Sequence, residues 1–134
     1  MDGANPAKKP VILVVEDDDQ TALFIRHFLE REGYEVRHAA DGREAAALIG
    51  QSPPPDLMTL DSDLPHASGD ELLLQVKTTP GWERVPVVMV TAKPKDAQAT
   101  WAVKTGSKAY LVKPFKPEDL LECVGRLLRK KSAG

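Results

Sequence analysis

Five short apolar runs, separated by stretches with helical periodicity, constrain the fold of this chain more than any other feature. The runs are Val11–Val15, Tyr34–His38, Leu57–Leu60, Val85–Val90 and Ala109–Val112. Short runs of this kind predict strands, and the stretches between them predict helices. Strands that alternate with helices imply right-handed crossovers and a parallel sheet covered on both faces. The sequence therefore predicts an α/β domain.

The stretches between the runs combine helical apolar spacing with glycine and proline stop signals. We predict five helices: one through Thr21–Leu29 that stops at Gly33, one from Asp41 to Gly50, one over Gly69–Val76, one over residues 94–105, and one from about Pro117. Near-continuous apolar strands such as Val85–Val90 indicate central positions that are buried on both faces.

Polar residues stand where four of the predicted strands stop. Glu16 and Asp17 follow the first run, Asp61 the third, Thr91 the fourth and Lys113 the fifth. Ligands of parallel sheets bind beyond these carboxyl ends, so we expect the residues to meet at one edge. A carboxylate at the end of a buried strand is poorly hydrated, so its charge needs a cation or a reaction partner. The pattern favours a hard divalent cation and makes Asp61 a candidate nucleophile.

Each of these residues also has an ordinary interpretation. Asp18 and Asp19, which continue the first acidic run, are best explained as caps of the following helix. Thr91 alone is typical of any strand, and Lys113 alone is typical of a solvated strand end. The joint position of acids, hydroxyl and lysine at one edge is what favours a functional site.

Composition limits the remaining classes of function. The 134 residues suit one domain, and a net charge of -2 gives no basic bias toward nucleic acid. No apolar stretch is long enough to cross a bilayer, and the single Cys123, expected to be buried, fits a reducing compartment. We therefore expect a cytoplasmic protein with a disordered leader over 1–9, one domain over 10–130 and a loose tail over 131–134. The three histidines share no ligand spacing, which argues against a transition-metal site.

Four segments together resemble the receiver domain of response regulators, the CheY-like family of two-component phosphorelay systems. The segments are Val14–Asp18, Asp61–Gly69, Val90–Ala92 and Tyr110–Phe115, and their order and spacing match from about Pro10 to Leu128. The resemblance implies a flavodoxin-like (βα)5 fold with a parallel sheet in the strand order 2-1-3-4-5 and helices on both faces. It also implies that Asp61 accepts a phosphoryl group from the phosphohistidine of a histidine kinase or histidine phosphotransfer protein.

The resemblance assigns the acids to a Mg²⁺ site, with Mn²⁺ as an alternative ion. Asp17 and Asp61 would bind the ion directly, Glu16 through water, and Asp63 through its backbone carbonyl. Glu16 stands where aspartate is often found in the family, which adds one methylene of reach.

The same resemblance implies roles in catalysis and switching. Lys113 would neutralise one phosphoryl oxygen, the Thr91 hydroxyl would hydrogen-bond another, and Ala92 would leave the group room to enter. Thr91 would be drawn toward the phosphate and Tyr110 would turn inward behind it, which reshapes the surface of the fourth helix, fifth strand and fifth helix. A cis peptide is expected at Lys113-Pro114.

Asp63 and Lys93 each lie two residues beyond a site residue, at positions that influence the lifetime of the phosphoryl group in the family. We hypothesise that the two charges pair across the site entrance. Two solvated surface charges are the alternative.

Partners follow from the resemblance as well. Leu23, off the core stripe of the first helix, is a candidate contact for the kinase or phosphotransfer protein, with an ordinary exposed leucine as the alternative. Trp101 is a candidate for the output face, with ordinary packing as the alternative. We expect output through a downstream protein target, with a homodimer through the fourth helix, fifth strand and fifth helix as an option. No direct contact with nucleic acid or membrane is expected, and the protein is expected to be a signalling phosphoacceptor rather than an enzyme.

Three other interpretations compete with this one. Asp61 and Asp63 also suggest a haloacid-dehalogenase-type phosphatase, but that family carries the pair on its first strand and follows it with Thr or Val, whereas Leu64 follows here. A receiver-like module that is never phosphorylated usually lacks an acid, the lysine or the acceptor, and none is missing. A receiver domain cut from a hybrid kinase or a DNA-binding regulator stays open, although the tail shows no start of a further domain and favours a stand-alone regulator.

Overall fold

Five parallel strands form one sheet. The computed structural model describes residues 9–62, 64, 69–92 and 109–133. The strands are β1 Val11–Val15, β2 Glu35–Ala39, β3 Leu57–Asp61, β4 Val87–Thr91 and β5 Ala109–Val112. Their order is β2-β1-β3-β4-β5, and each neighbouring pair is parallel. The predicted doubly wound sheet is confirmed.

Helices cover both faces of this sheet. The described helices are α1 Asp19–Arg31, α2 Gly42–Leu48, α3 Gly69–Thr78 and a C-terminal helix over Pro117–Ala133. Residues of α2 and α3 pack on one face, and residues of α1 and the C-terminal helix pack on the other. The predicted helix over 94–105 lies outside the described residues. None of the described helices combines the length and apolarity needed to cross a bilayer.

The alternation of side chains along β1 divides the core into two layers. Leu13 and Val15 are buried on the face of α2 and α3, whereas Ile12 and Val14 are buried on the face of α1 and the C-terminal helix. Because both faces are covered, a strand side chain is buried whichever way it points, which explains the unbroken apolar runs. Cys123 is buried in the second layer, as predicted.

The start of α1 resolves the roles of the two acids expected to cap it. Asp18 is the N-cap, and its Oδ2 accepts a hydrogen bond from Thr21 N at 2.8 Å. Asp19 is the first helical residue, where its negative charge faces the positive end of the helix dipole. The capping interpretation is confirmed for Asp18, whereas Asp19 lies in the first turn of the helix.

The second strand lies one residue later than predicted, over Glu35–Ala39. Tyr34 belongs instead to the stop of α1, because its N–H donates to Leu29 O at 3.1 Å. The chain reverses just before it at Gly33, whose φ of +95° is a left-handed value that favours glycine.

The fourth strand begins at Val87, two residues later than predicted. Pro86 has no N–H to give to the strand ladder, so it precedes the strand and contributes only its carbonyl, which accepts from Met58 N at 3.0 Å. Val85 N donates to Trp82 O at 3.0 Å in the turn before it. The apolar run thus spans a buried turn as well as a strand.

Protein groups close the edge of the sheet at which the strands begin, the amino edge. Asp56 Oδ2 accepts a hydrogen bond from Val11 N at 2.7 Å, and Asp56 N donates to Val11 O at 2.8 Å. Lys77 Nζ donates to Val85 O at 3.0 Å, and Trp82 is almost fully buried in the same turn. These contacts tie β1 to β3 and α3 to the turn before β4.

Candidate functional site

The register of the sheet brings the predicted site residues to its carboxyl edge. Val15 pairs with Leu60, which places Glu16 beside Asp61, the last residue of β3. On the other side β4 ends at Thr91 and Lys113 follows β5. Glu16, Asp61 and Thr91 are 1%, 3% and 2% exposed, so three polar side chains are buried at one edge.

Three carboxylates converge there. One carboxylate oxygen each from Glu16, Asp17 and Asp61 lies within 4.8 Å of the others. Asp17 is exposed, so the cluster opens to solvent on its side. The acidic run after β1 and the acid at the end of β3 therefore form one site, as their strand ends indicated.

Lys113 faces this cluster. Its Nζ lies 3.3 Å from both carboxylate oxygens of Glu16 and 3.3 Å from Asp61 Oδ2. Its backbone N–H donates to Thr91 O at 2.7 Å, and the peptide to Pro114 is cis, as the resemblance implied. Burial alone would lower the pKa of Lys113, but the charges of Asp61 and Glu16 outweigh it and raise the pKa.

Among the described residues, one lysine faces the three carboxylates of the site. Burial, together with the hydrogen bond and negative charge of Asp61, raises the pKa of Glu16 to about 7, against the smaller lowering effects of the Asp18 N–H and Lys113. Burial and Asp61 also raise the pKa of Asp17. Both shifts favour the protonated forms of Glu16 and Asp17, and a bound cation would oppose them.

The donor set fits a hard divalent cation. All three side chains offer carboxylate oxygens, which are the ligands that Mg²⁺ and Mn²⁺ prefer. Glu16 Oε1 is buried and accepts no hydrogen bond from the described residues, although Lys113 Nζ lies nearby. An acceptor of this kind, together with an excess of negative charge, suits a cation. The Asp63 carbonyl, assigned to the same ion by resemblance, lies outside the described residues.

The remaining predicted residues are placed in part. Ala92 is exposed directly after the buried Thr91, and Tyr110 is partly buried against the core layer of α2 and α3. Lys93 lies outside the described residues, so its pairing with Asp63 stays a prediction. Leu23 is 67% exposed on α1, as expected for a side chain off the core stripe.

A cavity of about 600 Å³ lies beside the site. Its apolar wall includes Phe24 of α1 and Phe115, whose ring centroids lie 5.8 Å apart. Lys113 and Asp18 also line it, so the cavity adjoins the acid cluster. Sequence reasoning did not foresee this groove, because it forms only where α1 meets the segment after β5.

Sequence reasoning also missed two residues next to the site. His38 Nε2 lies 2.9 Å from the backbone carbonyl oxygen of Glu16. A Cβ on Gly69 would lie 2.9 Å from Ser62 Cα and 3.1 Å from Asp61 O, so α3 starts in contact with the backbone of the acid. The sequence indicated Gly69 as part of a motif and as the start of a predicted helix, but not its contact with Asp61. The histidine had no signal beyond its place near the end of β2.

Comparison with known proteins gives consistent matches over this region. Residues 12–125 match the model of the response regulator receiver domain family. The phosphate regulon transcriptional regulatory protein PhoB of Rhizobium meliloti is 38% identical over 121 residues, which cover 90% of this chain and 53% of that protein. The chain thus spans about half the length of the curated relatives it matches.

Two solved structures share the fold. The chemotaxis protein CheY4 of Vibrio cholerae has a TM-score of 0.83 and 32% identity, over 90% of this chain and 99% of that one. The receiver domain of the sensor histidine kinase PA1611 from Pseudomonas aeruginosa, which has a magnesium ion coordinated in its active site cleft, has a TM-score of 0.81 and 27% identity, over 90% and 98%.

Proposed function

Because the chain belongs to the response regulator receiver family, we propose that Asp61 accepts a phosphoryl group from a phosphohistidine of a partner protein. The observation that carries the proposal is the placement of the Asp61 carboxylate. It is buried at the end of β3, 3.3 Å from Lys113 Nζ and within a cluster of acids able to hold a divalent cation. The function is that of a signalling phosphoacceptor.

In the transfer step a carboxylate oxygen of Asp61 attacks phosphorus. The P–O bond forms, the P–N bond to the donor imidazole breaks, and the electron pair returns to the nitrogen. Charge spread over the phosphoryl oxygens makes positioning and electrostatic stabilisation the main contributions of the protein. Lys113 Nζ pairs with one of these oxygens, and the Thr91 hydroxyl donates to another.

The cation completes this arrangement. Asp17 and Asp61 would bind Mg²⁺ or Mn²⁺ directly, Glu16 through water, and Asp63 through its backbone carbonyl. When bound, the ion supplies positive charge to the phosphoryl oxygens. Ala92 leaves space at the site, and charges at Asp63 and Lys93 set the lifetime of the phosphoryl group by pairing across the entrance.

The phosphoryl group then switches a surface. Thr91 moves toward the phosphate and Tyr110 turns inward, which changes the face formed by β5, the C-terminal helix and the predicted helix over 94–105. That face, with Trp101, contacts a downstream protein target or a second copy of the chain. Output does not require nucleic acid or membrane contact by residues 10–130, and the setting is the cytoplasm.

The donor protein docks beside the acceptor. The exposed Leu23 and the groove walled by Phe24 and Phe115 present apolar surface next to Lys113. A histidine kinase or histidine phosphotransfer protein bound there brings its phosphohistidine to the open side of the acid cluster. The relatives of this chain include a transcriptional regulatory protein and a sensor histidine kinase, both longer than the matched region. The same site would therefore serve in a stand-alone regulator, a hybrid kinase or a DNA-binding regulator.

The test is phosphoryl uptake from phosphoramidate, a small donor with a P–N bond, followed by intact-protein mass spectrometry. The protein with Mg²⁺ gains one phosphoryl group, and Asp61→Asn gains none although it folds. Asp56→Asn is the matched control, because Asp56 lies at the other end of β3 and an amide still accepts from Val11 N. Uptake by Asp61→Asn equal to that of the wild type contradicts the assignment.

Binding of beryllofluoride with Mg²⁺ separates the main alternative. This complex mimics an aspartyl phosphate, and we expect it to bind the wild type but not Asp61→Asn. No binding by either protein, together with no phosphoryl uptake, is the result expected of a receiver-like interaction module.

A further inference from the structure

We propose that His38 is a positioning residue for the cation site, because its ring holds the peptide plane that joins Glu16 to Asp17. His38 Nε2 lies 2.9 Å from the carbonyl oxygen of Glu16. A carbonyl oxygen only accepts hydrogen bonds, so Nε2 carries the proton and donates. The inference rests on the proposed function, since it concerns the acids that bind the cation.

Peptide planarity makes this contact relevant to both acids. The Cα atoms of Glu16 and Asp17 lie in the same plane as the carbonyl that His38 holds. Turning that plane about its ends would swing the two side chains relative to one another. The carboxylates must nevertheless stay close to Asp61, since one oxygen from each of the three lies within 4.8 Å of the others.

The end of the strand ladder explains why a side chain is needed there. Glu16 N still donates to Ala39 O at 3.1 Å, in continuation of the pairing between β1 and β2. β2 stops at Ala39, and Asp41 already caps α2, so β2 leaves the direction of β1 at this point. The imidazole of His38 reaches from β2 to the backbone carbonyl of Glu16. Glu16 is thus held by its N–H and by its C=O.

The experiment compares His38→Phe, which keeps a ring but loses the donor, with His38→Gln, whose amide can still donate. Arg37→Met is the matched control. Arg37 neighbours His38 on β2 and also donates from its side chain to a backbone carbonyl, that of Pro53 at 3.3 Å, away from the acids. Affinity is measured with Mn²⁺ by electron paramagnetic resonance at one fixed alkaline pH, and thermal melting is measured without metal.

We expect His38→Phe to bind Mn²⁺ about threefold to tenfold more weakly, in line with the loss of one hydrogen bond. His38→Gln should recover most of the affinity, and Arg37→Met should bind as the wild type does, even where its melting temperature falls. The Asp17 amide signal in the nuclear magnetic resonance spectrum of the metal-free protein should shift in His38→Phe and not in Arg37→Met.

The outcomes separate this inference from its premise. Equal Mn²⁺ affinity in the wild type and His38→Phe overturns the positioning role while the proposed function stands. Equal weakening in His38→Phe and Arg37→Met also overturns it, because the effect would then follow general stability. Failure of the wild type to bind Mn²⁺ or Mg²⁺ removes the cation site itself and counts against the proposed function.

Discussion

β3 is preceded by Asp56 and ends at Asp61, and the surroundings of these two aspartates differ. At the amino end Asp56 exchanges two hydrogen bonds with the backbone of Val11, at 2.7 and 2.8 Å. At the carboxyl end Asp61 is buried beside two further carboxylates and shares one lysine with Glu16. The first acid stabilises the sheet, whereas the second belongs to a group of three carboxylates that faces one lysine among the described residues.

Two lysines show the same difference between the amino and carboxyl edges of the sheet. Lys77 donates to the neutral carbonyl of Val85 at the amino edge, whereas Lys113 faces both Glu16 and Asp61 at the carboxyl edge. At the amino edge, the side chains of Asp56 and Lys77 hydrogen-bond to neighbouring backbone groups. At the other edge, the described residues place three carboxylates beside one lysine, an arrangement that a divalent cation would complete.

The largest expected effect that tests this contrast is a pH dependence caused by Glu16. Its pKa is raised from 4.5 to about 7 in the folded protein, so the folded state keeps a proton that the unfolded chain has lost. The metal-free free energy of unfolding should therefore fall as pH rises from 4.5 to about 7, by roughly 3 kcal/mol from this group.

Urea unfolding at several pH values in the presence of a chelator measures this slope. Glu16→Gln should remove the part of the slope that Glu16 causes and leave the contribution of Asp17, whose pKa is also raised. Asp56→Asn should leave the slope in place, while saturating Mg²⁺ should flatten it by favouring the ionised form. Identical slopes in the wild type and Glu16→Gln would show that Glu16 does not cause the pH dependence of the free energy of unfolding.

The second effect is that of Lys113→Met, which keeps the apolar stem and removes the charge. At alkaline pH without metal we expect the free energy of unfolding to fall by about 2 kcal/mol, because the buried acids lose their compensation. Mg²⁺ should restore part of this loss. Lys77→Met is the control, with a smaller loss that Mg²⁺ does not restore; equal responses to Mg²⁺ in both variants would end the contrast between the two lysines.

The smallest effect concerns the amino edge. Asp56→Ala leaves the N–H of Val11 without its carboxylate acceptor, so the free energy of unfolding should fall by about 1 kcal/mol. Chemical denaturation with and without Mg²⁺ checks that the loss is the same in both conditions. A loss that Mg²⁺ reverses would mean that the two ends of β3 are not independent.

Sequence reasoning foresaw the sheet order and the convergence of Glu16, Asp61, Thr91 and Lys113, because a parallel sheet brings all carboxyl strand ends to one edge. The order came from the likeness to a known family, since apolar runs alone do not rank the strands. Strand starts were harder to predict: Val85 is as apolar as Val87, and the missing N–H of Pro86 decides where pairing begins.

Contacts between distant segments could not be foreseen in the same way. The bond from His38 to the Glu16 carbonyl depends on ring orientation and on where β2 leaves β1. The groove between Phe24 and Phe115 depends on how α1 meets the segment after β5. Neither the histidine contact nor the groove corresponds to a periodic pattern or a motif in the sequence.

The packing at the start of α3 limits which residues can replace Gly69. Gly69 has no room for a Cβ, because Ser62 Cα lies 2.9 Å and Asp61 O 3.1 Å from where that atom would be. Both obstacles are backbone atoms, which cannot rotate away as a flexible side chain would. Even alanine would push the helix and the acid-bearing strand apart. A substitution of Gly69 is therefore accommodated only if the start of α3 moves away from the end of β3 at the same time.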